Sequence, residues 1–259
     1  MEKKKESNYV LSTTVQKAFS IIECVAHFQP VTPVTIQKHL KMNKGNIHRL
    51  LATLEDLGYV KKIEAGYIIT FKMYALGNTV LEAHTILQIA KPYIVQLSEE
   101  MRHNISLLVI DRGRVIRLYQ AEYPTDLKVL QEKDFIFPLH CSATGKLYLS
   151  HLKGAERDSV LENLNLVKKT EFSISDKRKL LEELERIKTQ GYATEIKEYS
   201  QFMHCLAVPI YDHHNNFIAS VSLTSPSFTF PEEDFPKAVQ PLLATAKQIS
   251  RDMGAGVSI

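Results

Sequence analysis

Apolar residues recur with a helical period through the first third of the chain. Ile47, Leu50, Leu51, Leu54 and Leu57 fall at i, i+3, i+4, i+7 and i+10, which is one face of an α-helix. Asn43 supplies its N-cap and Gly58 a left-handed stop. Upstream, Val15, Ala18, Phe19, Ile22 and Val25/Ala26 predict a helix over 14–27 with these side chains inward. The stretch Gln29-Pro30-Val31-Thr32-Pro33 breaks it, and Ile36 and Leu40 mark a short second helix over 34–41. The period then changes to two. Residues 59–63 and 67–70 alternate like strands around Glu64-Ala65-Gly66, a three-residue hairpin loop. Three helices and a β-wing make a winged helix-turn-helix over 13–73, preceded by a polar, disordered arm over 1–12.

Helical spacing returns over 74–101, where it predicts a linker helix with Pro92 in the first turn of its second segment. Strands are expected over 105–110 and 115–119, joined at Asp111-Arg112-Gly113, with shorter ones over 127–130 and 135–137. Further strands are expected over 192–196, 206–211 and 217–224, the last two linked by an exposed loop carrying His213 and His214. Helices are expected over 142–151 with Ser142 as N-cap, over 176–190 and over 232–252. The whole is α+β: a winged helix-turn-helix, a linker helix, and a GAF/PAS-like antiparallel sheet with packed helices over 102–254.

Charge sharpens the reading of the third helix. Its early polar positions are Lys44, Asn46, His48 and Arg49, and its acids Glu55 and Asp56 come late. That order runs against the helix dipole, which favours acids at the N-terminus. It fits a helix end aimed at phosphates and base edges. Lys44 and Asn46 are candidates for major-groove contacts. His48, Arg49 and Thr53 are candidate phosphate binders, Lys61 and Lys62 extend the basic surface onto the wing, and Gly45 allows close approach to the duplex. The alternative is an ordinary solvated polar face. Residues 1–73 hold 11 basic against 6 acidic side chains, and the remainder 21 against 23, so the basic surplus lies with this helix.

The chain has 259 residues, 44% hydrophobic and 24% charged, enough for two globular domains. Three distant cysteines, Cys24, Cys141 and Cys205, imply no disulfide framework. The charged N-terminus lacks the apolar region of a signal peptide, and no apolar run reaches membrane-spanning length, so a cytoplasmic, non-membrane protein is expected.

The order of these parts resembles the IclR family of bacterial transcriptional regulators over nearly the whole chain. The resemblance rests on Val15-Gln16-Lys17-Ala18-Phe19-Ser20-Ile21-Ile22 and on Ile47-His48-Arg49-Leu50-Leu51-Ala52-Thr53-Leu54 followed by Gly58-Tyr59-Val60. It continues in Pro138-Leu139-His140-Cys141-Ser142-Ala143-Thr144-Gly145-Lys146, Gly191-Tyr192-Ala193 and Cys205-Leu206-Ala207-Val208-Pro209-Ile210. It implies a regulator working as a dimer or dimer of dimers on a double-stranded DNA operator and controlled by a small organic effector, often a carboxylate. Family members include repressors and activators.

The resemblance places the effector pocket on the turn after Ser142 and on the sheet. Carried onto this chain, the candidates are Ala143, Thr144, Gly145, Glu195, Met203, Cys205, Ser222 and Thr224, with Leu127 as a wall. The free N–H groups of that helix turn suit an anion. Ser222 and Thr224, two apart on a strand, face one side, although plain packing also accounts for that pattern. Phe202 and Met203 stand where the family has smaller residues, Thr144 is bulkier than usual and Glu195 replaces an Asp. These departures leave the effector class open.

Three other chemistries are open to these residue types. His140, Cys141, His204 and Cys205 are metal-ligand types, but their spacing matches no strong site, and adjacent strand residues point apart. Cys141 or Cys205 could serve a redox switch or a thiol-dependent enzyme. No G-x-S-x-G, P-loop or G-x-G-x-x-G accompanies them, so neither an enzyme nor a cofactor or metal site is expected.

Overall fold

Helical and strand periods segregate the chain into two units, residues 1–83 and 84–259, in a computed structural model that describes residues 11–83, 85–124 and 136–255. The first unit holds α1 (Thr13–Phe28), α2 (Pro33–Leu40), α3 (Lys44–Asp56), β1 (Val60–Ile63), β2 (Gly66–Ile69) and α4 (Phe71–Ala83). Ser12, expected in the disordered arm, instead accepts from the Val15 N–H and caps α1; residues 1–10 lie outside the described set. The inward face of α1 also differs from the expectation. Ile21, Ile22, Cys24 and Val25 are buried with Ile36, Ile47, Leu51 and Leu54, whereas Val15 and Phe19 are more than half exposed. The stripe through Ile22 and Val25 continues through Ala18 and Ile21, which turns Val15 and Phe19 outward.

The hairpin turn is tighter than expected. Ile63 pairs with Gly66, leaving Glu64-Ala65 as a two-residue loop. Gly66 opens strand β2, and the Val31 backbone, which bridges to Tyr67, lies close against it. Its φ is +141°, and a Cβ there would stand 2.6 Å from the Val31 carbonyl oxygen. Only glycine fits.

The second unit contains α5 (Thr85–Met101), β3 (Asn104–Asp111), β4 (Arg114–Ala121), β5 (Ile136–Phe137), α6 (Ala143–His151), α7 (Gly154–Glu162), α8 (Lys177–Gln190), β6 (Ala193–Ile196), β7 (Met203–Tyr211), β8 (Phe217–Pro226) and α9 (Phe235–Asp252), the last preceded by a 3₁₀ turn. The stretch expected as linker helix carries α4 and α5, which end and begin on either side of residue 84, outside the described residues. The apolar residues Ile86, Ala90, Ile94 and Leu97 draw α5 into the core of the second unit. Helix α7 was not expected, because only Leu161 of its nine residues is buried and its sequence carries little periodicity. The strand expected over 127–130, and with it Leu127, lies outside the described residues.

The six strands pair antiparallel in the order β5-β4-β3-β8-β7-β6. Alternation assigns their two faces. Leu107, Leu206, Val208, Val221 and Leu223 pack against α5 and α9, while Leu108, Cys205 and Ala207 face α6 and α8. The second face also carries the polar side chains of the candidate pocket. Among the described residues, no helix is long and apolar enough to cross a membrane.

Candidate DNA-reading head and effector pocket

Asn43 fixes the start of α3 by accepting from the Asn46 N–H at 2.8 Å. Lys44, Gly45, His48, Arg49 and Thr53 are exposed and Asn46 is half-buried, so their side chains form one surface opposite the buried Ile47, Leu50, Leu51 and Leu54. Arg49 Nη2 donates to Asn46 Oδ1 at 3.2 Å, which aligns the two polar groups along the helix. Thr53 is less available than expected: its hydroxyl donates to the Arg49 carbonyl at 3.0 Å. The late acid has a structural task. Glu55 Oε1 accepts from the Lys62 N–H at 3.1 Å and ties the wing to α3. Lys61 and Lys62 are exposed on β1.

In the second unit, register assembles what sequence separates. Glu195 on β6 pairs with Cys205 on β7, and Cys205 with Thr224 on β8. Ser222 pairs with Ser106 of β3. These side chains floor a cavity of about 570 Å³, whose wall includes Ala143 and Thr144 from the first turn of α6. Seven of the nine expected effector residues therefore converge. Leu127 is outside the described residues. Gly145 does not line the cavity; it serves close packing, since a Cβ there would stand 2.3 Å from the Leu139 carbonyl oxygen. Its N–H is also used, donating to Ser142 Oγ.

Phe202, singled out in the sequence, lines the rim of the cavity as well, and with it stand Arg117, Phe137, Lys169 and Tyr199, which sequence reasoning missed. They form an ordered run: the Arg117 guanidinium lies 5.5 Å from the Phe137 ring centre, Phe137 meets Tyr199 edge-on at 5.3 Å, and Lys169 Nζ lies 5.5 Å from the Tyr199 ring. Arg117 had a readable signal, a cation inside the apolar strand Val115–Tyr119. Lys169 had none. The segment bearing it is fastened down: Thr170 Oγ1 donates to the Lys197 carbonyl and Ser173 Oγ to that of Glu198, both at 2.6 Å.

Glu195 sets the electrostatics of the floor. It is buried, and its Oε1 accepts from the N–H groups of Glu198 at 2.6 Å and Tyr199 at 3.1 Å. Burial pushes its carboxyl up to about 7 despite those bonds. Behind it, the buried Lys146 of α6 pairs with Glu198 and, at 3.4 Å, with Glu183, which also holds Arg186.

The cysteine chemistries find the wrong surroundings. Burial raises the Cys141 thiol to about 12 and Cys205 well above its ordinary value, the reverse of a reactive thiol. His204 reaches the Phe230 carbonyl on the α9 side of the sheet, while Cys205 faces the cavity. His140 is held by the Val167 carbonyl at 2.9 Å. Among the described residues, no group of three or more His, Cys, Asp or Glu side chains could hold a metal ion.

Comparison with known proteins agrees with both halves. Residues 78–251 match the family model described as bacterial transcriptional regulator IclR C-terminal, and residues 14–64 match the IclR helix-turn-helix domain. The HTH-type transcriptional regulator KdgR of Escherichia coli (strain K12) is 26% identical over 244 residues, which cover 93% of each chain. The IclR structure from Thermotoga maritima matches with a TM-score of 0.74 at 26% identity, over 93% of this chain and 98% of that one. An IclR homologue from Microbacterium hydrocarbonoxydans, complexed with 4-hydroxybenzoate, matches in fold with a TM-score of 0.77 at 19% identity, over 93% and 99%. The named relatives are regulators, not enzymes. This chain belongs to the IclR family and is a DNA-binding transcriptional regulator.

Proposed function

We propose that α3 and the wing read an operator and that a small organic acid in the cavity of the second unit controls this binding. Lys44 and Asn46 contact base edges, with Gly45 allowing the approach. His48, Arg49, Lys61 and Lys62 hold phosphates, and Thr53, whose hydroxyl is already bonded to backbone, contributes less. The protein acts as a dimer or dimer of dimers on a two-fold operator, as paired helix-turn-helix heads do. The observation that carries the effector reading is the convergence of Ala143, Thr144, Glu195, Met203, Cys205, Ser222 and Thr224 on one cavity of about 570 Å³. That volume lies in the range of small-molecule sites, about 300–1,000 Å³. The 4-hydroxybenzoate bound by the Microbacterium homologue supports an organic acid as the ligand type.

The test is operator binding by electrophoretic shift, with and without a panel of organic acids. A cognate acid changes operator affinity; its failure to do so alongside measurable binding of the acid refutes the control. Arg49→Ala should weaken all DNA sequences alike and lower the salt slope by about one contact. Asn46→Ala should cost about 1–3 kcal/mol at one operator position only. A uniform loss across operator variants removes Asn46 as a base reader.

A further inference from the structure

The cavity is chemically two-ended, and this constrains its ligand beyond being an acid. At the floor stands Glu195, 2% exposed, with one oxygen already accepting two backbone N–H groups. At the rim stand Lys169 and Arg117, at the two ends of the Phe137–Tyr199 aromatic pair. Arg117 is engaged with Gln120 and reinforces the rim. Lys169 makes no ion pair with a described carboxylate. It sits on a segment fastened to the floor turn through Thr170 and Ser173, so its backbone position is set before any ligand arrives.

We infer that the effector is a carboxylic acid bearing a hydrogen-bond donor remote from its carboxylate, bound with the acid at the Lys169 rim and the donor against Glu195. This rests on the effector reading above. A ligand carboxylate pressed on Glu195 would place two acids side by side in a water-poor site, where both cannot ionise. Turned the other way, the ligand meets a cation with its acid and an acceptor with its hydroxyl. In register Cys205 lies beside Glu195 and Thr224 beyond Cys205; the Cys205 thiol meets both, and the three polar groups run side by side along the floor. Phe137, Tyr199 and Phe202 give the middle of the ligand an apolar and aromatic wall.

Matched compounds on the full-length protein test this without altering the fold. The set is 4-hydroxybenzoate, benzoate (no donor) and 4-hydroxybenzyl alcohol (no acid), with D-gluconate and hexanoate as the aliphatic pair. Thermal shift finds binders and calorimetric titration gives their Kd. In at least one set, the hydroxylated acid should bind at least about tenfold more tightly than the member lacking either group. Lys169→Gln, on an exposed side chain, should weaken the hydroxy acid a few-fold and leave the alcohol unchanged, and Lys169→Arg should retain binding. Plain acids binding as tightly as hydroxy acids, or an unchanged Kd in Lys169→Gln, overturns the orientation and leaves the effector reading standing. If no compound shifts the melting temperature, the organic-acid reading falls, and this inference with it.

Discussion

Lys146 is a lysine with a side chain 1% exposed, and its removal has a calculable cost. In Lys146→Met, Glu183 keeps Arg186, but Glu198 loses the cation it pairs with among the described residues while its side chain stays 8% exposed. Its Oε2 is already buried without a hydrogen-bond partner among the described residues. Breaking a buried pair in this way typically costs about 3–5 kcal/mol. Protonation offers Glu198 an escape. For a carboxyl of ordinary pKa 4.5, holding a proton at pH 7 costs about 3 kcal/mol, and at pH 5 less than about 1 kcal/mol. Burial raises the Glu198 carboxyl even beside Lys146, so the native protein already bears part of this cost. The expected loss is therefore about 2–3 kcal/mol at pH 7 and under about 1 kcal/mol at pH 5. For a unit of this size that means a fall of about 5–10 °C in melting temperature at pH 7 and about 1–3 °C at pH 5. Scanning calorimetry of the full chain at both pH values reads it. Lys146→Met/Glu198→Gln should regain most of the loss. Equal destabilisation at both pH values, or a double variant as unstable as the single one, would refute the reasoning.

Glu195→Gln probes the floor of the cavity. The folded state holds the Glu195 proton more tightly than the unfolded chain, so ionising it removes about 3 kcal/mol of stability as pH rises from 4.5 to about 7. The variant should flatten stability over that window in denaturant titrations, and an unchanged slope would count against a raised Glu195. Gly145→Ala should destabilise the second unit by about 1–3 kcal/mol or more, because its methyl group meets the Leu139 backbone; a neutral melting curve contradicts this. Gly66→Ala should lower the stability of the first unit by about 1–3 kcal/mol from its positive φ alone, and hydrogen exchange at Tyr67 and Val31 reads the loosened bridge. Glu55→Ala should leave α3 formed and speed amide exchange at Lys62, whereas unchanged exchange would dismiss the tether.

Legibility followed the range of the physics. The burial of Ile47, Leu50, Leu51 and Leu54 and the caps at Asn43 and Ser142 are local, so spacing and residue type revealed them. The wing turn is one residue shorter than its spacing predicts because Gly66 pairs with Ile63, and the need for glycine there comes from Val31, 35 positions away. The floor of the cavity became readable through family resemblance, since pairing of Glu195, Cys205 and Thr224 is a property of strand register. The rim escaped because Arg117, Phe137, Lys169 and Tyr199 come from four separate segments. Lys146 escaped for another reason: a lysine on a helix reads as solvated unless its two acids are already known to surround it.

The bond from Glu55 to the Lys62 N–H has a mechanical consequence. It joins the far end of α3 to the first wing strand, while Val31 and Gln29 clamp the second strand through Tyr67 and Ile69. Little freedom remains for the helix to tilt against the wing. A signal that altered only that angle would have to break several bonds at once. For the effector control and the dimer proposed above, moving each head bodily is the cheaper course, since it changes the spacing at which two heads meet successive turns of the duplex and leaves the grip of either one intact.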